Sequence, residues 1–438
     1  MLSRLFTVTN LFIISVLIAC LALFVLVLAP ADPSEDGDDT VTRIHFADNI
    51  STAHRALIER FNEKYRGEIE VVPVDLPFNK FSTNERKQLL TRSFRSKTTR
   101  IDVFAVDLVW VPRFVKWAEP LSSHFTAAER SDFLPYALES CYFDSVLVSV
   151  PFYIDIGLMY YRKDILQKLP DYPAIEKKLQ ASVTWEEFVH LSRRPELAQH
   201  PFYLFPADNY EGLVCSFVEA TNSQGAPLFA GDSLRLNTLP ALRALRLLVN
   251  LVNQYRVTPP LVTEYKEIEV YEYALAQDAI FFRGWPGNLQ GYRANFREKI
   301  DNIGVAALPH FEGAAPTSIF GGWNLMISKD SEKKEQALKF LRFITSKEMQ
   351  QLMYEEMGYL PANRRVYEDD GYFASHPELR YMHTLLEQGT HRPALVEYTK
   401  ISDILSFYIK KAIKLELPPE QALQRAQEAI RSEKVLVN

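Results

Sequence analysis

Apolar residues recur along this chain in two alternating periods. Residues 41–47 alternate apolar and polar, which predicts a strand, because successive strand side chains point to opposite faces. Over 51–66 the period lengthens: Leu57, Ile58, Phe61 and Tyr65 share one helical face, and Gly67 ends the helix. Residues 69–74 predict a strand, 84–96 a basic amphipathic helix, and 101–106 a short, largely apolar strand. This β-α-β-α-β order predicts a mostly parallel sheet flanked by helices. Ligands of such sheets bind beyond the carboxyl ends of the strands, where Asp48-Asn49 and residues 107–110 fall.

A second such passage begins at 149–155 and continues through Thr184-Trp185-Glu186-Glu187, where Thr184 caps a helix and Glu187 completes the box. Residues 280–285 predict a strand running into a glycine-flanked tryptophan, and 303–308 another strand. Gly321-Gly322-Trp323 precedes a buried strand of Leu325, Met326 and Ile327. Two helices follow, with Ala337, Leu338, Leu341 and Ile344 inward on one and Met349, Leu352 and Met353 on the other. Thr345 with Glu348 fits a capping box between them, and Gly358 a C-terminal stop. Pro418-Pro419 opens a last helix, with Leu423, Ala426 and Ile430 inward.

Residues 11–29 hold no charge over 19 positions, roughly 28 Å of helix and close to the hydrocarbon thickness of a bilayer. Arg4 precedes this stretch; Asp32, Glu35, Asp36, Asp38 and Asp39 follow it, so the N-terminus is expected inside and the body outside. An uncleaved membrane anchor fits best. Lipoprotein processing at Cys20 is the runner-up, and a cleaved signal peptide is third. The acidic stretch 30–40 reads as a tether reaching at most about 39 Å.

Some 400 residues remain, more than one core normally organises, so two lobes are expected. The net charge of −6 argues against general nucleic-acid binding. Beyond the apolar stretch only Cys141 and Cys215 occur, read as buried free thiols, although a disulfide between them stays open. No metal-ligand spacing, nucleophile elbow, phosphate loop or dinucleotide fingerprint is present, so neither a metal nor a cofactor is expected.

The order and spacing of several motifs resemble the extracellular solute-binding proteins of family 1, the maltose-, trehalose- and oligosaccharide-binding components of ABC importers. The motifs are Asp102-Val103-Phe104-Ala105-Val106-Asp107, Val150-Pro151-Phe152-Tyr153-Ile154-Asp155, Met159-Tyr160-Tyr161-Arg162-Lys163-Asp164, Thr184-Trp185-Glu186-Glu187-Phe188, Gly321-Gly322-Trp323, Arg392-Pro393 and Ala422-Leu423. The resemblance spans roughly 42–430. It departs at Arg100-Ile101-Asp102-Val103, where Pro-Asp-Val is usual, and at Asp144-Ser145, where Asp-Gly is usual.

The resemblance implies a two-lobed α/β periplasmic-binding-protein-like fold with a hinge and an inter-lobe cleft, preceded here by an N-terminal transmembrane helix. The expected division is 1–29 anchor, 30–40 tether, 41–150 plus 321–361 for lobe 1, and 151–320 plus 362–438 for lobe 2. A saccharide site combines aromatic faces, which cover sugar C–H faces, with charged groups that bond hydroxyls. Trp323, behind the uncovering Gly322, and Trp285, in Gly284-Trp285-Pro286-Gly287, are the candidate plates; a core position is the bland reading of each. Tyr153 and Asp155 share a strand face, and Asp155 between two isoleucines needs either a ligand hydroxyl or a backbone donor. Asp107 resembles a sugar-binding carboxylate of the family and equally suits a cap for the turn at Trp110. Arg392 matches a family arginine that reaches the cleft. Asp48 and Asn49 are further candidates, or caps for the helix after Ser51. Trp110, Trp117 and Trp185 are assigned to packing, and the basic run Arg86, Lys87, Arg92, Arg95, Lys97, Arg100 to a solvated helix face.

The function implied is non-catalytic capture of a short oligosaccharide or related polyol outside the cytoplasm by a monomeric, membrane-anchored receptor that delivers it to ABC permease subunits. A sugar-sensing ectodomain signalling to a membrane partner, and an extracytoplasmic carbohydrate-active enzyme, are the alternatives.

Overall fold

A computed structural model describes residues 41–432 apart from 79, 82, 97–99 and 232. The expected anchor at 11–29, Cys20, the tether at 30–40 and Lys97 lie outside the described residues. No helix among the described residues is long and apolar enough to cross a membrane.

Two sheets organise the chain. The larger has seven strands: β1 (Thr42–Asp48), β2 (Ile69–Asp75), β3 (Val103–Asp107), β4 (Val150–Ile156), and the later strands Ser318–Ile327, Leu360–Pro361 and Gly389–Thr390. The smaller has four: β5 (Leu158–Arg162), β6 (Tyr203–Leu204), β7 (Phe281–Gly284) and β8 (Ile303–Ala306). With β9 (Ser318–Ile327), β10 (Leu360–Pro361) and β11 (Gly389–Thr390), the larger sheet runs β10-β4-β9-β3-β1-β2, and β11 pairs with β9. The β1–β3 pair is parallel, as the alternating pattern predicts. The sheet as a whole is mixed rather than mostly parallel, because β9 runs antiparallel to both β3 and β4. A late strand inserted at the sheet centre leaves no alternating βαβ signature in the sequence.

β9 is longer than the three residues predicted. All ten of its residues are buried, from Ser318 through Gly321-Gly322-Trp323 to Ile327, so the glycines lie inside the sheet. Helix α1 (Thr52–Lys64) is capped by the Ser51 side chain and buries Leu57, Ile58 and Phe61. Helix α2 (Thr83–Ser96) differs from its expected solvated face: Arg92 and Arg95 are exposed, whereas Arg86 and Lys87 are buried. Helix α3 (Trp185–Leu191) carries the predicted Thr184–Glu187 capping box. After α4 (Glu211–Asn222) and α5 (Glu267–Ala276) come α6 (Lys334–Ile344) and α7 (Lys347–Met357), which bury the predicted apolar positions. Their boundary differs in detail. Ser346 occupies the N-cap of α7 without a side-chain bond, and the Thr345 hydroxyl donates back to the Leu341 carbonyl. Gly358 ends α7 in the left-handed conformation, as expected. Cys141 and Cys215 are both buried free thiols.

The two sheets are joined where β4 meets β5, through Gly157 alone. A Cβ there would sit 2.6 Å from Ser318 Oγ and 2.9 Å from Arg283 Nη2, so glycine is what allows these elements to approach.

Candidate functional site

Three adjacent strands bring the predicted ligand residues to one place. On β9, Trp323 lies opposite Asp107 of β3 and opposite Tyr153 of β4, while Gly321 lies opposite Asp155. Alternate residues of a strand share a face, so Asp107, Trp323, Tyr153 and Asp155 project to the same side of the sheet. All four line a cavity of about 530 Å³, together with Asn49, Gly322, Trp285 and Arg392. Its other residues include Tyr210 and Glu211, then Glu267, Ile268, Glu269, Tyr271 and Glu272 of α5.

The aromatic walls are held from behind. Trp323 is 6 % exposed and meets Phe78 and Trp110 edge-on. The Arg86 guanidinium lies 4.3 Å from its ring centroid. Tyr153 stacks on Tyr359 with ring centroids 4.4 Å apart. Trp285 is half-buried, its backbone fixed by Tyr160, whose hydroxyl donates to the Trp285 carbonyl at 2.7 Å. Its ring crowds β9: a Cβ on Gly321 would fall 2.8 Å from Trp285 Cζ3. Gly322 adopts φ +123°, and a Cβ there would sit 2.5 Å from the Tyr153 carbonyl oxygen. Gly322 is therefore required by the close approach of the β4 backbone, and Gly321 by the Trp285 ring that lies over it.

The charged groups divide into paired and unpaired. Arg392 is buried, donating to Glu211 at 2.5 Å and to the Phe320 carbonyl at 3.1 Å, and lies 3.8 Å from Asp107. Glu211 also accepts from Tyr398 at 2.8 Å and from the Ser402 hydroxyl. Asp107 fills both roles that its sequence position allowed: it lines the cavity and its carboxylate accepts from Val109 N at 3.1 Å. Burial raises its pKa despite the opposing Arg392 charge. Asp155 differs, since its Oδ1 is buried without a hydrogen-bond partner. Burial, with the Asp107 charge adding, pushes its carboxyl up to about 8. An acid placed this way donates or accepts toward whatever enters the cavity.

Asp48 departs from the sequence reading. It is not among the residues lining the cavity; one oxygen faces His54 at 3.0 Å and the other accepts from Arg86 at 2.8 Å. Its carboxylate is committed to neutralising a buried guanidinium. Asn49 does line the cavity, and its side chain accepts from Phe78 N at 3.0 Å. The sequence reading missed Tyr359, Glu211, Tyr210, Glu267 and Tyr271. Tyr359 stands in Gly358-Tyr359-Leu360-Pro361, directly after the glycine that ends α7. Glu211 carries no local signal, since its partners Arg392 and Tyr398 lie about 180 residues away.

Among the lining residues seven carboxylates (Glu85, Asp107, Asp155, Glu211, Glu267, Glu269, Glu272) face three cations (Lys80, Lys266, Arg392). The lining is thus richer in acidic than in basic side chains, although burial raises the pKa of Asp107, Asp155 and Glu267.

Comparison with known proteins agrees with this architecture. A "Probable ABC transporter-binding protein" of Deinococcus radiodurans is 27% identical over 350 residues, 78% of this chain and 82% of that one. The solved structure of maltose-bound MalE3 from T. maritima superposes with a TM-score of 0.79 at 27% identity, covering 90% of this chain and 100% of the other. The GacH receptor of Streptomyces glaucescens, solved unliganded and with acarbose, shares the fold with a TM-score of 0.77 at 19% identity, covering 90% and 98%. Residues 47–351 match the sequence profile of the bacterial extracellular solute-binding proteins. The chain thus belongs to the bacterial extracellular solute-binding proteins of family 1, the two-lobed binding components of ABC importers.

Proposed function

We propose that this protein captures a short, uncharged oligosaccharide between its two sheets and delivers it to an ABC permease. The observation that carries the reading is the convergence of Trp323, Trp285 and the Tyr153–Tyr359 stack on one cavity of about 530 Å³. Rings cover the apolar faces of sugar units, and Asp107, Asp155, Asn49 and Arg392 at the same surface exchange hydrogen bonds with hydroxyls. The maltose carried by the T. maritima relative supports this ligand class, and the acidic lining favours it over a phosphorylated polyol.

The lobes of this reading are 41–150 with 321–361, and 151–320 with 362–438. The pairing of β4 and β9 in the larger sheet supports crossings close to these bounds, near Gly157 and Ser318. Ligand favours the closed lobe arrangement because Trp285 and Trp323 contact the sugar from different sheets. Residues 11–29 serve in this reading as an uncleaved anchor that keeps a monomeric receptor on the extracytoplasmic side of the cell membrane, close to its permease.

Isothermal titration against maltose, trehalose, longer glucans and glycerol 3-phosphate tests the reading. A neutral saccharide is expected to bind, and Trp323→Ala to weaken it at least about tenfold, or 1.4 kcal/mol. Absence of binding across the panel, or an undiminished Trp323→Ala, overturns it. Membrane fractionation of the full chain, with and without residues 1–40, tests the anchor.

A further inference from the structure

Behind the cavity, on the side of the smaller sheet, lies a second buried ion pair that no ligand contact explains. Arg283 of β7 is 1 % exposed and Glu219 of α4 is 5 % exposed. The guanidinium donates twice to Glu219, at 2.8 and 3.2 Å. Its plane also lies 3.9 Å from the centroid of the Trp285 ring, and Arg283 itself is not among the residues lining the cavity. Desolvating two full charges costs several kcal/mol, and well-packed apolar residues of similar volume often give equal or greater stability. Stability alone is therefore a weak reason for this pair.

Its neighbours indicate another. Glu219 also lies 3.2 Å from the Ser318 hydroxyl at the start of β9, which shares its one proton between Glu219 and a carbonyl. The same hydroxyl lies 2.7 Å from the Gly157 carbonyl, in the single residue that joins β4 to β5. A chain of contacts therefore runs from Trp285 on the smaller sheet, through Arg283 and Glu219, to the two places where the backbone passes between the sheets. Arg283 holds the back of the indole in a cation–π contact, an arrangement strengthened by exclusion of water.

We propose that Arg283, anchored by Glu219, is a positioning residue that fixes the Trp285 plate relative to the strand crossing at Gly157 and Ser318, and so sets how tightly the two sheets close on a saccharide. This rests on the saccharide-binding reading of the cavity. Arg283 also faces Asp155, whose carboxyl it pulls downward against burial and the Asp107 charge. Its loss is thus expected to move the pH profile of binding as well as its strength.

The experiment compares Arg283→Met, Glu219→Leu and the double variant Glu219→Leu/Arg283→Met with the intact protein. Each single variant strands one buried charge and is expected to unfold at lower denaturant; the double variant removes both and is expected to recover stability. Saccharide affinity is expected to stay at least tenfold weaker in the recovered double variant, with the pH profile shifted upward. Affinity and pH profile equal to the intact protein in the double variant would overturn the proposal. The ¹⁹F spectrum of 5-fluorotryptophan-labelled protein supplies a reading without ligand. The Trp285 resonance, assigned with Trp285→Phe, is expected to shift and broaden in the double variant, and an unchanged resonance also overturns the proposal. Should no saccharide bind even the intact protein, the capture reading fails, while the ¹⁹F spectrum still decides the role of Arg283.

Discussion

The Arg86 guanidinium lies 4.3 Å from the Trp323 ring centroid while it donates to Asp48 at 2.8 Å. Both partners of the ion pair are almost wholly buried. Asp48 thus acts on the cavity through Arg86 and Trp323 rather than by touching a guest. Burial lowers the Arg86 pKa, and the Asp48 carboxylate is the largest opposing influence and the counter-charge of a guanidinium that stays charged.

Removing that counterweight leaves an uncompensated buried charge. Asp48→Ala is expected to destabilise the protein by about 3–5 kcal/mol, read from urea unfolding at neutral pH. The same change would cost under about 1 kcal/mol if the pair behaved as an exposed salt bridge, and that result would refute its buried role.

Gly322 carries a second sharp expectation. Its φ of +123° is one that L side chains rarely adopt, and an added Cβ would sit 2.5 Å from backbone oxygen and 2.9 Å from Ile154 Cα. Neither neighbour is a flexible side chain, so the sheet itself must shift. Gly322→Ala is expected to cost at least about 2–3 kcal/mol, whereas Gly291→Ala, which meets nothing within 4 Å, is expected to be nearly silent. Thermal melts of the two variants side by side check this; equal melting temperatures would show that β9 adjusts freely.

How much of this was legible in the sequence follows from where each interaction is made. Periodicity located β1, β3, α1, α3 and the helix pair after β9, because those patterns are local. The strand face shared by Tyr153 and Asp155 was legible too, since period two fixes it. The mixed sheet was not, because pairing of β9 with β3 joins residues about 216 apart, as Trp323 and Asp107 are. Arg86 reads as one more solvated cation of a basic helix until Asp48 and Trp323 are brought beside it. Trp323 and Gly322 follow from the uncovering glycine pair, whereas Asp107 and Arg392 rest on resemblance, which also tips Asp155 toward binding. The orphaned oxygen that distinguishes Asp155 arises from tertiary burial, which no local pattern records.

The turn at Asp144-Ser145 offers a gain rather than a loss. It joins the short strands Tyr142–Phe143 and Val146–Leu147 with two residues at φ +47° and +64°. Two-residue hairpins of this kind favour glycine at the second position, where Ser145 carries a Cβ in the left-handed region. Ser145→Gly is expected to stabilise the protein by up to about 1 kcal/mol, seen as a higher urea midpoint with an unchanged slope. A lower midpoint would mean that the Ser145 side chain contributes more than its backbone strain removes.

Asp155 makes stability depend on pH with a definite sign. Its ordinary pKa is 3.8, and burial with the Asp107 charge raises it to about 8 in the folded protein, with Arg283 opposing. Below about pH 4 both states hold the proton and the group contributes no difference. Between about pH 4 and 8 the folded state binds the extra proton, so the contribution of Asp155 to stability falls as pH rises, and the loss is complete above about pH 8. Asp155→Asn removes the titrating group while keeping the shape of the side chain. The variant is therefore expected to gain on the parent steadily from pH 4.5 to pH 8.5 in urea midpoints. A constant offset between the two profiles would place the Asp155 carboxyl back in the ordinary range and remove the argument for an unpaired acid facing the cavity. Saccharide affinity measured over the same range is expected to weaken in Asp155→Asn at every pH, because the amide replaces an oxygen that has no other partner in the fold.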